Sequence, residues 1–227
     1  MASELVTFAD LQANLSTWLE DASTVLYSLE ERKRALNASY AQLYVKAISL
    51  SNGQGVSQVK TTLSVVSGTD TIALPADFYR CINVWYEYSD RNHVKWKPIH
   101  PAAVTDYVSS ISQSSKMKAF YFRGNSTMVV VPMPNESYSI TMLYATNPVS
   151  MDADFDEPNF PMAHRELIVL GALKRLAQKE GMPLLGETKE TYSELSENFV
   201  TDMVSMQSQS SRRLQGQNDY DQYSIFG

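Results

Sequence analysis

The amino-acid sequence predicts an α+β protein: an amphipathic helical bundle with an antiparallel β insertion and an extended C-terminal arm. Three observations predict it. Apolar residues recur at three- and four-residue steps near both ends of the chain. Between residues 56 and 146 the period falls to two, and β-branched and aromatic residues take over. From Gln207 the composition turns polar. Four segments follow: N-terminal helices in 1–50, the β insertion in 56–146, helices completing the bundle in 147–206, and a partner-docking tail in 207–227.

The first helix begins after Thr7, which stands three residues before Asp10 in a pattern close to a capping box. Phe8, Leu11, Leu15, Trp18 and Leu19 form its apolar stripe. The second helix spans about Leu29 to Ala47, with Leu36, Tyr40, Leu43, Tyr44 and Ala47 on one face. Ser51-Asn52-Gly53-Gln54-Gly55 ends the helical section.

Strands are expected at Val59–Val66, Thr71–Leu74, Cys81–Glu87, Val94–Lys97, Ala119–Arg123, Thr127–Val131 and Tyr138–Ala145. The first two flank Ser67-Gly68-Thr69-Asp70 and read as a hairpin, and the pair around Gly124-Asn125-Ser126 reads as another. Pro101–Ser109 reads as a short helix with proline in its first turn. An acidic, proline-rich loop, Asn147–Pro161, leads to the strongest helix, Pro161–Glu180. Its apolar face, from Ala163 through Leu167, Leu170, Leu173 and Leu176, is widened by Ile168 and Val169, which predicts contact on more than one side. Gly181 and Pro183 stop it. A more polar helix follows, Glu187–Met206, with Tyr192, Leu195, Phe199, Met203 and Met206 in line.

The 227 residues carry a formal net charge of −6. A protein that grips duplex DNA concentrates positive charge, and the short run Arg32-Lys33-Arg34 is preceded by Glu30 and Glu31. The balance argues against tight DNA binding. It suits plain solubility, and it equally suits a surface past which DNA slides in transient, non-specific proximity. The longest helical apolar run, Leu167–Leu173, is far below the roughly 20 residues that span a bilayer. No membrane insertion is expected, no secretory signal is read at the N-terminus, and assembly in the host cytoplasm is the default.

Local signatures of catalysis are weak. Cys81 is the single cysteine, set in the apolar run Cys81-Ile82-Asn83-Val84-Trp85, and reads as an inert core thiol. His93, His100 and His164 lack metal-ligand spacing and read as surface or capping residues. Asp152, Asp154, Asp156 and Glu157 alternate in a manner compatible with calcium. They lack the central glycine and terminal glutamate of a calcium loop, and solvated loop charge is the simpler reading. There is no phosphate-binding glycine loop and no nucleophile elbow. No enzyme activity, metal or cofactor is expected.

The tail from Gln207 cannot repay its ordering entropy alone. It nevertheless carries Arg212, Arg213, Tyr220, Tyr223, Ile225 and Phe226, and aromatic side chains bury much area at modest entropic cost. A frayed end and a docking segment are both compatible with that composition.

The order of these segments resembles a known family. A helical pair contains Glu31-Arg32-Lys33-Arg34-Ala35-Leu36-Asn37-Ala38-Ser39-Tyr40. A β region opens on Ile72-Ala73-Leu74-Pro75-Ala76-Asp77-Phe78-Tyr79-Arg80-Cys81-Ile82. Phe120-Tyr121-Phe122 and Val129-Val130-Val131-Pro132 lead into Tyr138–Ala145, and the last helices start near Pro161. Over roughly residues 7–206 this is similar to the phage head-to-tail connector (adaptor) proteins of short-tailed and related tailed bacteriophages. The resemblance implies a non-enzymatic virion protein at the portal vertex. It implies a ring, commonly of twelve copies, between the portal protein and the tail, nozzle or fibre proteins, with a channel for genome passage. It makes Arg212, Arg213, Tyr220, Tyr223, Ile225 and Phe226 candidates for docking to the portal. Another virion tail or neck role, a virion-associated cell-wall hydrolase, and a carbohydrate-binding module using Trp85 or Trp96 are the alternatives.

Overall fold

The computed structural model describes residues 6–20, 26–51, 53, 56–89, 92–110, 119–179, 181 and 186–223. The chain divides into two compact units, Met1–Val56 with Pro148–Gly227, and Ser57–Asn147.

The first unit is helical. Helix α1 (Phe8–Leu19) opens on a complete capping box. The Thr7 N–H donates to the Asp10 carboxylate at 2.8 Å, and the Asp10 N–H donates back to Thr7 Oγ1 at 3.3 Å. The Thr7 N–H first, and then the Thr7 hydroxyl, which donates to the same carboxylate oxygen at 2.8 Å, hold the Asp10 carboxyl below its usual range. Phe8, Leu11 and Leu15 are fully buried, whereas Trp18 at the end of the stripe is exposed.

Helix α2 (Leu29–Ser51) starts with a second capping box that the sequence reading overlooked, although Ser28-Leu29-Glu30-Glu31 spells the pattern. The Ser28 N–H donates to the Glu31 carboxylate at 3.1 Å, and the Glu31 N–H donates to Ser28 Oγ at 3.3 Å. The same carboxylate takes the Lys179 ammonium from helix α4 (Glu166–Lys179). Lys179 first, then Ser28, draws the Glu31 carboxyl down to about 2. Its stabilising contribution is therefore present above the ordinary glutamate range and is lost as pH falls toward that value.

Helix α4 is the interior element. Leu167 to Leu173 all lie at or below 9% exposure, Leu176 is also buried, and α4 packs on α1, α2 and α5 (Gly186–Tyr223). The wide apolar face thus meets neighbours on several sides, as its breadth predicts. Gly171 allows the closest approach: a Cβ there would lie 2.2 Å from Ser39 Oγ and 3.3 Å from Ser39 Cβ on α2.

Two buried arginines tie loops to this core. Arg165 donates to the carbonyls of Phe160 at 3.2 Å, Val6 at 2.6 Å and Pro158 at 3.1 Å. Arg32 donates to the Tyr27 carbonyl at 3.0 Å and to Ser16 Oγ at 2.7 Å. Guanidinium groups suit this task because their donors spread in a fixed fork.

Helix α5 does not stop at Met206. The arm expected from Gln207 takes helical form as far as Tyr223. No proline interrupts residues 207–223, and glutamine, arginine and leucine in that run tolerate helix well.

The second unit consists of two four-stranded sheets around one core. The strands are β1 (Gln58–Val65), β2 (Thr71–Ala73), β3 (Phe78–Ser89), β4 (Asn92–Lys95), β5 (Lys97–Pro98), β6 (Ala119–Arg123), β7 (Thr127–Val131) and β8 (Tyr138–Thr146). A short helix, α3 (Val104–Ser110), follows a 3-10 turn at Pro101–Ala103. The sheet orders are β1-β8-β3-β4 and β2-β7-β6-β5.

Leu63, Val65, Val84, Ile140 and Met142 of the first sheet share a core with Ile72, Phe120, Met128 and Val130 of the second. Phe78 of β3 bridges the sheets, with its ring 5.4 Å from Phe122 and 5.7 Å from Tyr144. All pairs are antiparallel except β5 with β6, which runs parallel because the chain crosses over through α3 between them.

The β6–β7 hairpin forms as expected, with Gly124 at φ 65°. The expected hairpin of the first two strands does not form. β1 pairs with β8 and β2 with β7, so residues 66–70 cross from one sheet to the other. Bonds from the Gly68 N–H to the Pro134 carbonyl and from the Ser67 N–H to Ser137 Oγ hold the crossing.

The Gly171→Val substitution should destabilise the protein by about 1–3 kcal/mol in denaturant unfolding, through overpacking of the α2–α4 contact. A neutral effect would show that this contact is not tight.

Candidate partner-binding surfaces

Chemistry-bearing residues are occupied structurally. Cys81 packs against the β core, and burial pushes its thiol up to about 12. His100 accepts the Ala102 N–H at Nδ1, 3.2 Å away, and so caps the 3-10 turn. His164 corrects the surface reading: it is buried, its Nε2 lies 3.0 Å from Asp202 Oδ2, and its ring meets Phe199 edge-on at 5.3 Å. Asp156 Oδ2 accepts the N–H groups of Asp152 at 2.7 Å and Ala153 at 2.9 Å. Among the described residues, no group of three or more His, Cys, Asp or Glu side chains could hold a metal ion. No helix of the described residues is long and apolar enough to cross a membrane.

The two tryptophans considered for sugar stacking lie in different settings. Trp96 is 3% exposed, inside the sandwich, with its ring against Tyr138. Trp85 lies on the outer face of the first sheet. Its Nε1–H donates to Glu87 Oε1 at 3.1 Å, and the Lys60 ammonium sits 5.5 Å from its ring centroid.

Surfaces suited to partners are found elsewhere. On α5, positions 212, 213, 220 and 223 are helical. At 3.6 residues per turn they fall within about 100° of the helix circumference, so Arg212, Arg213, Tyr220 and Tyr223 are brought to one side by the backbone. Ile225 and Phe226 lie outside the described residues.

A second surface was not foreseen. Phe155 is 79% exposed, and Val149 and Met162 in the same connecting segment are also exposed. Phe155 sits on an arch pinned at both feet. The first N–H groups of α1 donate to it, Phe8 N–H to the Asp156 carbonyl at 2.7 Å and Ala9 N–H to the Asp154 carbonyl at 2.9 Å. These helix-end donors would otherwise lack partners. The side chain is therefore presented on a fixed backbone, which lowers the entropic cost of binding through it. The sequence signal was a lone phenylalanine in an acidic loop, which composition alone marks only as loop.

A family model described as SU10 adaptor protein matches residues 6–219. The chain belongs to the SU10 adaptor family. As a member it is a structural head-to-tail connector of a bacteriophage virion and not an enzyme. The matched span runs through both units and most of α5. Comparison with curated proteins finds no match.

In the folded adaptor at pH 8, Cys81 should react with a thiol reagent about three orders of magnitude more slowly than in denaturant, because only the thiolate attacks. Comparable rates in the two states would show the thiol to be accessible and ionised.

Proposed function

We propose that the chain forms a closed ring, of twelve copies by analogy with connectors of this kind, at the vertex between portal protein and tail, with a channel for the genome. In this reading α5 beyond Met206 docks on the portal, and the tail, nozzle or fibre proteins meet the opposite end. The observation that carries it is the disproportion of α5. It has 38 residues against 23 in α2 and 14 in α4, the helices it packs on. At 1.5 Å per residue that is about 57 Å against about 35 Å and 21 Å. Its described buried residues end at Met203.

Arg212, Arg213, Tyr220 and Tyr223, at helix positions that share one side of the backbone, are then the candidates for portal contact, with Ile225 and Phe226 next in sequence. Arginine and tyrosine are the residue types that dominate interface energetics. Phe155 supplies a second anchor, toward a neighbouring copy or a tail protein. Net negative charge, −6, leaves DNA in passage unheld. Assembly in the host cytoplasm is part of the same reading, and a single cysteine, which can form no intrachain disulfide, is compatible with it.

Truncation after Met206 should weaken binding to purified portal by about tenfold or more while the bundle stays folded; unchanged affinity removes α5 as the docking element. Phe155→Ser should leave stability within about 0.5 kcal/mol but reduce incorporation into particles. Normal incorporation would make Phe155 an idle surface residue.

A further inference from the structure

We propose that neighbouring copies in the ring join through their β units, the open edge of β1 on one copy receiving the open edge of β4 on the next. This rests on the ring reading above and specifies its interface.

The argument begins with the ladder. The Thr146 N–H donates to the Ser57 carbonyl, and β1 pairs with β8 in the register Gln58 to Ala145 through Val65 to Tyr138. Alternation then points the odd-numbered residues of β1 at β8 and turns the N–H and C=O groups of Lys60, Thr62 and Ser64 away from it. Their side chains are exposed on the outer face. Among the described residues, none of these six backbone groups has a hydrogen-bond partner. On the other edge the Trp96 N–H donates to the Val84 carbonyl, and Tyr86 opposes Val94, so the backbone groups of position 93 and Lys95 point outward from β4.

The two edges have matching polarity. β1 is antiparallel to β8, β8 to β3 and β3 to β4. β1 and β4 therefore run in opposite directions within one copy. Neighbours in a many-membered ring differ by a small rotation, which preserves strand direction. A β4 arriving at β1 from the next copy is thus antiparallel, the better-bonded arrangement. The contact is heterologous, the kind that closes by rotation.

An open edge strand is normally guarded, often by lysine. Here the guard is drawn aside. The Lys60 ammonium reaches back across the sheet to Glu87 Oε1, 3.4 Å away on β3, and over the Trp85 ring. Thr141 Oγ1 and Trp85 Nε1–H donate to the same carboxylate oxygen and hold it in place. The lysine charge is neutralised on the inner side of β1, leaving Thr62 and Ser64 to face an incoming strand.

The test uses the full chain in assembled particles. Cysteine pairs K60C/K95C, T62C/K95C and S64C/K95C are treated with a short bismaleimide, with the wild type, whose Cys81 is shielded, as control. The expected result is a ladder of covalent oligomers for at least one pair and none for the wild type. In parallel, Thr62→Pro removes one outward N–H without touching the β1–β8 ladder. It should keep the wild-type circular dichroism while incorporation falls about tenfold or more.

Rings that form normally with Thr62→Pro and give no ladder with any pair would overturn the strand-joining while leaving the ring intact. Cross-linking of T62C alone to dimers would mean two-fold β1–β1 pairing and would overturn it too. Wild-type particles with no ring of this chain would remove the ring reading and this interface together. If Thr62→Pro fails to fold, the cross-linking result alone decides.

Discussion

Everything in the helical unit depends on the burial of α4 among three other helices. A helix with seven consecutive residues, Leu167 to Leu173, at or below 9% exposure has no solvent face along that stretch. Its neighbours must come from elsewhere in the chain: α1 and α2 before the β unit, α5 after it. The closest of these contacts fits because residue 171 is glycine beside Ser39. The β unit can therefore be inserted between α2 and α4 without interrupting the bundle, since both ends of the interrupted chain are fixed by the same interior helix.

That constraint separates interior from outward function. Potentially reactive groups are absorbed by structure: Cys81 against the sandwich core, His164 under Asp202 and Phe199, and Asp156 in its own backbone turn. The outer features are of another kind. They are an exposed phenylalanine on a pinned arch, a helix longer than its supports, and a β1 edge whose outward backbone groups have no hydrogen-bond partner among the described residues. Such features gain free energy by covering area on another chain. This agrees with membership of a structural adaptor family.

Much of the helical unit was legible because its signals are local. The Thr7–Asp10 box and the Phe8-Leu11-Leu15 stripe sit within one or two turns, and the breadth of the α4 face follows from adjacent residues. The Ser28–Glu31 box was equally local and was overlooked. Strand positions were legible for the same reason, but strand partners were not. Alternation in Val59–Val66 states that one face is buried and says nothing of which strand lies alongside, so β1 and β2 were joined as a hairpin when they belong to different sheets. The burial of His164 was hidden because its partners, Phe199 and Asp202, lie 35 and 38 residues away. Phe155 was hidden because its rigidity comes from α1, about 146 residues earlier in the chain. The arm beyond Gln207 was legible in composition, while its helical form goes with the lack of proline in 207–223 and the helix-tolerant glutamine, arginine and leucine there.

Cryo-electron microscopy of intact particles, with this chain identified by a small fused tag, tests the central claim most directly. The account predicts many equivalent copies closed around a central channel between capsid and tail, each with α5 turned toward the portal. Density for the tag on fibres, within the capsid or along a stacked tube, or a single copy per particle, would contradict it.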